Sequence, residues 1–448
     1  MTERRTLFVS IASYRDPELI PTLQDMLTMA HHPQNLRIAI CWQHDDETSE
    51  LFTGAGMTLI GQLQHETDEV WRFQWQQAQL TVIAVDYRHS QGACWARHKA
   101  ETWFANEDFS LQIDSHCRFV QHWDSEMIAM LDGLRATSAR PVLSTYPPAY
   151  EPQHDPAKRA QFVSRLIFRG FSQEGLPMLS SMPLTSKQPV RGSYIAGGFI
   201  FADGCFVREV GNDPHIFFAG EEIAMAARAW TNGYDVYTPH KILLWHYYGR
   251  KQASKIWGDH TREAKEAGDV ALGWWERDAI SKKRIRSLFD LEIVPVDPGL
   301  YGLGTVRSLA DFERFIGVDF KKRAVLPDVI GESKTSVFPR ESWLDDEQWA
   351  QQLLAPFEKS ISLKKESVSP RMGEADWWYL GVYSASNRLM SEKKYTREAL
   401  MKLISDSEND EFKLKIDFST KPQFDPSVIR LCPFSEASGW GAVVEKPW

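Results

Sequence analysis

Leu111-Gln112-Ile113-Asp114-Ser115-His116-Cys117-Arg118-Phe119 is a short apolar run that ends in an acid and an imidazole one residue apart. In an α/β sheet a buried strand carries apolar side chains to its carboxyl edge, and the first polar residues past that edge line the ligand crevice. Asp114 and His116 therefore stand where such proteins bind their ligands. Residues i and i+2 of an extended chain point to one side, so a carboxylate oxygen and an imidazole nitrogen can converge on one divalent cation. Two ligands make half a site. A solvated Asp beside an unrelated His gives the same letters, and the rest of the chain decides between the two readings.

Upstream, Leu7-Phe8-Val9-Ser10-Ile11-Ala12 reads as the first strand, followed by Ser13-Tyr14-Arg15-Asp16-Pro17-Glu18. Asp16 suits a helix cap, Pro17 the first turn and Glu18 the dipole, predicting a helix to about Ala30. Residues 36–42 form a second strand ending in Gln43, and residues 80–85 a third ending in Asp86. Arg88-His89-Ser90-Gln91-Gly92-Ala93-Cys94 opens another helix, with Arg97 near its start. Strand, helix, strand in repetition predicts an α/β fold with a mainly parallel sheet flanked by helices. No glycine-rich phosphate loop is present, so a bound nucleotide needs its phosphates neutralised by something else, and a metal is the natural candidate.

Downstream, residues 146–191 are rich in Pro, Ser and Met without sustained periodicity, which suggests acceptor-binding loops. Gly197 and Gly198, opening Gly197-Gly198-Phe199-Ile200-Phe201-Ala202, suggest close backbone approach to a ligand or a neighbouring strand. A helix follows in which Glu221 and Glu222 occupy the first turn, Ile223, Ala226, Ala227 and Trp230 form an apolar stripe, and Gly233 supplies the stop. Strands at 234–237 and 242–245 lead to His246-Tyr247-Tyr248-Gly249-Arg250, where His246 could complete the half-site of Asp114 and His116. The basic residues Arg250, Lys251 and Lys255, and later Lys282, Lys283, Arg284 and Arg286, read as a mostly solvated helical face, part of which could close over phosphates. Residues 310–320 look helical. From about Lys321 the chain reads as a smaller appended C-terminal domain of β-rich character, giving a division into 1–320 and 321–448.

The net charge of −9 over 448 residues argues against nonspecific nucleic-acid binding. The 17 Trp fit either large cores or sugar and peptide clefts. Five scattered cysteines suggest neither a disulfide framework nor a zinc site, and the absence of a leader-like or membrane-spanning stretch makes a cytoplasmic protein the expectation.

Taken together, the first strand with its Ser-Tyr-Arg-Asp-Pro turn, Asp114-Ser115-His116, Gly197-Gly198-Phe199-Ile200-Phe201, the Gly220-Glu221-Glu222 helix, His246 and Tyr301-Gly302-Leu303-Gly304-Thr305-Val306-Arg307 resemble a known family. It comprises the cytoplasmic N-acetylglucosaminyltransferases acting on hydroxyproline of an SCF ubiquitin-ligase subunit, with their bacterial relatives. The resemblance implies a GT-A type domain, UDP-GlcNAc as donor, a divalent metal, Mn2+ or Mg2+, and retention of anomeric configuration. The Asp-Ser-His run is also similar to the Asp-x-His motif of the retaining, manganese-dependent polypeptide N-acetylgalactosaminyltransferases. That likeness implies Asp114, His116 and His246 as metal ligands, Arg97 near the donor, and Glu221 in the turn beneath the sugar, where Glu222 stands in place of Asn. Ser13, Tyr14, Arg15, Gln43 and Asp86, all at strand ends, are then expected around the uridine and ribose, with Ser115 beside Asp114 at the donor. Glu221 or Glu222 would hydrogen-bond sugar hydroxyls, orient the acceptor or stabilise charge at the anomeric carbon.

Two rival readings keep parts of this picture. One retains the donor chemistry with a glycan, lipid-linked or small-molecule acceptor in place of a protein hydroxyl. The other is a metal-dependent nucleotide-sugar or phosphoester hydrolase, which usually needs a second metal and more bridging carboxylates than the sequence offers.

Overall fold

The computed structural model describes residues 5–45, 48–330, 344–368, 375–407 and 409–448. The chain divides into two compact units that part at Ile316 and Gly317. Among the described residues no helix is long and apolar enough to cross a membrane.

The first unit is built on β1 (Leu7–Tyr14), β2 (Leu36–His44), β3 (Thr58–His65), β4 (Asp68–Trp75), β5 (Ala78–Asp86) and β6 (Phe109–Asp114). After β7 (Cys117–Phe119) come β8 (Pro141–Ser144), β9 (Val163–Phe171), β10 (Pro177–Leu184), β11 (Val190–Arg191), β12 (Phe199–Asp203), β13 (Asp235–Thr238) and β14 (Leu244–His246). The main sheet has the order β11-β13-β8-β12-β6-β1-β2-β5-β4-β3. Its centre, β6-β1-β2-β5, is parallel, so the carboxyl ends of four strands open on one crevice.

Alternation along β1 explains how both faces are covered. Leu7, Val9 and Ile11 join the large core with Leu19, Leu23, Met26 and Leu27 of α1 (Leu19–Met29). Phe8, on the opposite face, packs with Ala39 and with Ala100, which lies on the third helix. The intervening α2 (Glu50–Gly54) is a short edge element, and α3 (Ala93–Glu101) is the helix that holds Ala100 and Arg97. Then α4 (Trp123–Gly133), α5 (Phe206–Val210) and α6 (Glu221–Thr231) follow. Each fully buried Leu, Ile or Val on these faces contributes about 1.5–3 kcal/mol.

The structure departs from the sequence expectation in three places. Residues 58–75 form the antiparallel β3–β4 hairpin on the sheet edge, which the sequence reading missed. Within 146–191, β9 and β10 pair as an antiparallel hairpin where irregular loops were expected. Arg284 is buried against Asp213, while Lys282 pairs with Glu174 and Asp278, and Arg286 with Glu292. Lys282, Arg284 and Arg286 therefore fasten their helix, Trp274–Leu288, and of that later basic run Lys283 alone is exposed.

The second unit is β-rich. Its central strand Trp377–Ser384 pairs antiparallel with Leu389–Thr396 and Pro426–Ser435, and Ala355–Lys364 pairs with Glu411–Thr420. Trp378, Leu380 and Val382 alternate into a core shared with Phe412, Leu414, Ile429 and Leu431.

Candidate active site

Asp114 is the last residue of β6, held in register by Ala12 of β1. The chain turns at Ser115 and His116 and enters β7, whose Cys117 pairs with His246 of β14. This pairing brings His246 to the Asp-x-His turn. One ligand atom from each of Asp114, His116 and His246 lies within 4.8 Å of the others, and the two imidazole centroids are 4.5 Å apart. His246 Nε2 stands 3.1 Å from Asp114 Oδ2, and His246 Nδ1 is buried with no hydrogen-bond partner. One carboxylate with two imidazoles is a donor set suited to a divalent first-row cation, and Nε2 is the His246 nitrogen that stands beside Asp114. The residues fit a metal.

The charges around the cluster are set by burial and by neighbours. Burial pushes the Asp114 carboxyl up, but the hydrogen bond from His246 and the charge of Arg97 outweigh it and hold the acid well below the usual carboxylate range. Burial lowers His246, favouring the neutral ring that a metal requires.

Arg97 ties this cluster to the helix start opposite. Its Nη2 donates to Asp114 Oδ1 at 2.9 Å and its Nη1 to Glu221 Oε1 at 2.8 Å, with the side chain 4% exposed. Glu221 also accepts from the Cys94 thiol. Gly220 caps α6 with φ +87, a left-handed conformation that favours glycine. Glu222 accepts from Gly197 N–H at 3.0 Å and from the Tyr146 hydroxyl. Burial first, then the charge of Glu221, pushes Glu222 up to about 7 against the opposing Tyr146 hydrogen bond. The paired glycines read from sequence have a plain steric reason. A Cβ on Gly197 would stand 2.2 Å from Glu221 Oε1, and one on Gly198 would stand 2.9 Å from Asp114 Oδ2.

These groups open on a cavity of about 620 Å³, within the range of small-molecule sites. Of the residues expected around the donor, Tyr14, Gln43, Arg97, Asp114 and Ser115 line it. Tyr14 donates to Asp259, and Gln43 bridges Ser90 Oγ and the Ser13 carbonyl. Ser13, Arg15 and Asp86 are not among the lining residues. Ser13 is fully buried in its strand. Arg15 lies over the Tyr87 ring and pairs with Asp259, and Asp86 folds back on Arg88. Arg250, Lys251 and Lys255 also line the cavity, as do the exposed rings of Phe218 and Trp257, which meet edge to face.

Sequence reasoning missed Asp16 as a site residue. The helix begins at Leu19 with Glu18 in the cap position, and Asp16 divides its carboxylate. Oδ1 accepts from Glu18 N–H, as a cap would, whereas Oδ2 accepts from Ser115 Oγ and lies 2.8 Å from His116 Nδ1. Tyr146 was also missed, lying in a stretch without periodic signal. Cys94 carried no signal that a sequence alone displays.

Residues 6–322 match the model of a family described as glycosyltransferase (GlcNAc). A search of curated proteins finds no match. Among solved structures, the chain resembles residues 1–349 of TarS from S. aureus at 10% identity and a TM-score of 0.40, covering 78% of each chain. It resembles GalNAc-T7, crystallised with UDP, GalNAc and Mn2+, at 11% identity and a TM-score of 0.45, covering 100% of this chain and 72% of that one.

Proposed function

The chain belongs to the GlcNAc family of glycosyltransferases, and from that premise we propose that it transfers N-acetylglucosamine from UDP-GlcNAc to a hydroxyl acceptor, with retention, using a divalent metal. Asp114, His116 and His246 would hold the cation, with Mn2+ preferred and Mg2+ as the alternative. The observation that carries the reading is the convergence of these three side chains in the lining of the cavity.

When bound, the cation supplies Lewis-acid stabilisation of the charge on the departing diphosphate. The chain's own residues do the rest. Tyr14 and Gln43 sit where a uridine can be held. Arg250, Lys251 and Lys255 bring to the cavity lining the positive charge that a diphosphate needs. Arg97 fixes the Glu221 carboxylate against Asp114, so that Glu221 presents a rigid acceptor to sugar hydroxyls. Glu222, held by Gly197 and Tyr146, is poised near neutrality to orient an acceptor hydroxyl and share its proton.

The acceptor we assign is a hydroxyproline of a cytoplasmic protein. Supporting it, Phe218 and Trp257 offer exposed apolar faces in the cavity lining on which a pyrrolidine ring can stack, and the five cysteines are free, as in a reducing compartment. A peptide panel with and without hydroxyproline, run beside a glycan array with labelled UDP-GlcNAc, tests it. Label on hydroxyproline peptides supports the assignment, and label on glycans alone overturns it.

A further inference from the structure

Arg250 follows His246 on the loop after β14, and its guanidinium lies across the groups that fix His116. Nη2 is 3.1 Å from Asp16 Oδ2, and Nη1 is 3.1 Å from His116 Nε2. His116 Nδ1 faces the same Asp16 oxygen at 2.8 Å. The protonated ring nitrogen therefore donates to Asp16, and the lone pair on Nε2 receives an N–H of Arg250. That lone pair is the one His116 has to offer a cation. A guanidinium proton and a metal ion cannot share it.

The two arginines of the site differ in freedom. Arg97 is 4% exposed and locked between two acids. Arg250 is 21% exposed and lines the cavity beside Lys251.

We propose that Arg250 is an internal cation that holds His116 until a divalent ion displaces it, and that the released guanidinium then pairs with the diphosphate of the donor. The proposal rests on the metal reading of the site and adds a coupling between its two ligands. Metal binding alone costs the Arg250 contacts with His116. A bound diphosphate gives the guanidinium a new partner, so nucleotide tightens metal binding, and by reciprocity metal tightens nucleotide by the same factor.

The test is titration of the protein with Mn2+, followed by electron paramagnetic resonance of the free ion, with and without UDP, for wild type, Arg250→Ala, Arg250→Lys and Asp114→Asn. Without UDP, Arg250→Ala should bind Mn2+ roughly tenfold tighter than wild type, the scale of a lost charge-assisted hydrogen bond. The tightening by UDP should shrink in the same variant by about the same tenfold, leaving what the diphosphate gains from the ion itself. Arg250→Lys keeps the charge but lacks the fork that spans Asp16 and His116, so it should follow Arg250→Ala. Unchanged or weaker Mn2+ binding in Arg250→Ala overturns the proposal, as does an Arg250→Lys variant that behaves like wild type, since charge alone would then explain the effect. Loss of binding in Asp114→Asn with no effect at Arg250 removes only this coupling. Binding that survives Asp114→Asn removes the metal site itself and the coupling with it.

Discussion

Asp16 Oδ2 lies 2.8 Å from His116 Nδ1, and the Asp16 side chain is 1% exposed. An acid so placed fixes the tautomer and direction of the ring whose other nitrogen faces the cluster, the usual second layer of a metal-ligating histidine. Asp16→Asn should therefore weaken Mn2+ binding by roughly 10–100-fold, measured by titration, while the far-UV circular dichroism spectrum stays that of the wild type.

The same acid sets a pH dependence. Burial pushes Asp16 up, but the hydrogen bond and charge of His116, followed by the charge of Arg250, hold it below the ordinary 3.8. Asp114 is held lower still. Groups depressed in the native state give stability that is fully present above the unfolded value near 3.8 and lost as pH falls through the native values. Denaturant titrations should show stability falling steeply below about pH 4, with a shallower slope in Asp16→Asn.

Glu222 has the opposite sign. Its native pKa is raised from the ordinary 4.5 to about 7, so the folded state holds the proton more tightly and the contribution of this group to stability declines as pH rises from 4.5 to 7. Glu222→Gln keeps an acceptor for Gly197 N–H and reverses the Tyr146 bond, its amide N–H donating to the hydroxyl oxygen. It should be close to neutral at pH 5 and stabilising at pH 8, by up to roughly 3 kcal/mol at about 1.4 kcal/mol per pH unit. The variant should also lose any inflection of kcat/KM near neutrality.

Gly197→Ala tests the steric argument. Its methyl would meet Glu221 Oε1 at 2.2 Å, which forces the carboxylate away from Arg97. Overpacking of this kind costs about 1–3 kcal/mol, and a displacement near 1 Å in a positioned group costs on the order of 10²-fold in kcat. Stability by denaturation and turnover with saturating donor separate the two.

Arg97→Met leaves Asp114 and Glu221 without their shared cation. Breaking a buried pair costs about 3–5 kcal/mol, which chemical denaturation at pH 7 should register.

The crevice was legible because period two along β6 and apolar strand runs are local signals. Leu7, Val9 and Ile11 alternate as a buried strand must, and Gly197 and Gly198 announced close approach, which their clearances explain. The β3–β4 and β9–β10 hairpins were not legible, since β3 exposes most of its side chains and β10 buries only Pro177, so neither carries an apolar alternation. Asp16 was misread because Asp-Pro-Glu satisfies the local rule for a helix start, and half of its carboxylate does follow that rule. The other half answers to His116, a residue brought close only by the parallel pairing of β1 with β6.

In the proposed function, Asp114, His116 and His246 bind a cation that UDP-GlcNAc needs. Calorimetric titration of UDP-GlcNAc into the protein, with Mn2+ and then with a chelator, tests it most directly in wild type and Asp114→Asn. Binding by the wild type with Mn2+ is expected, strongly weakened by the chelator and by the substitution. Equal affinity in all conditions would contradict it.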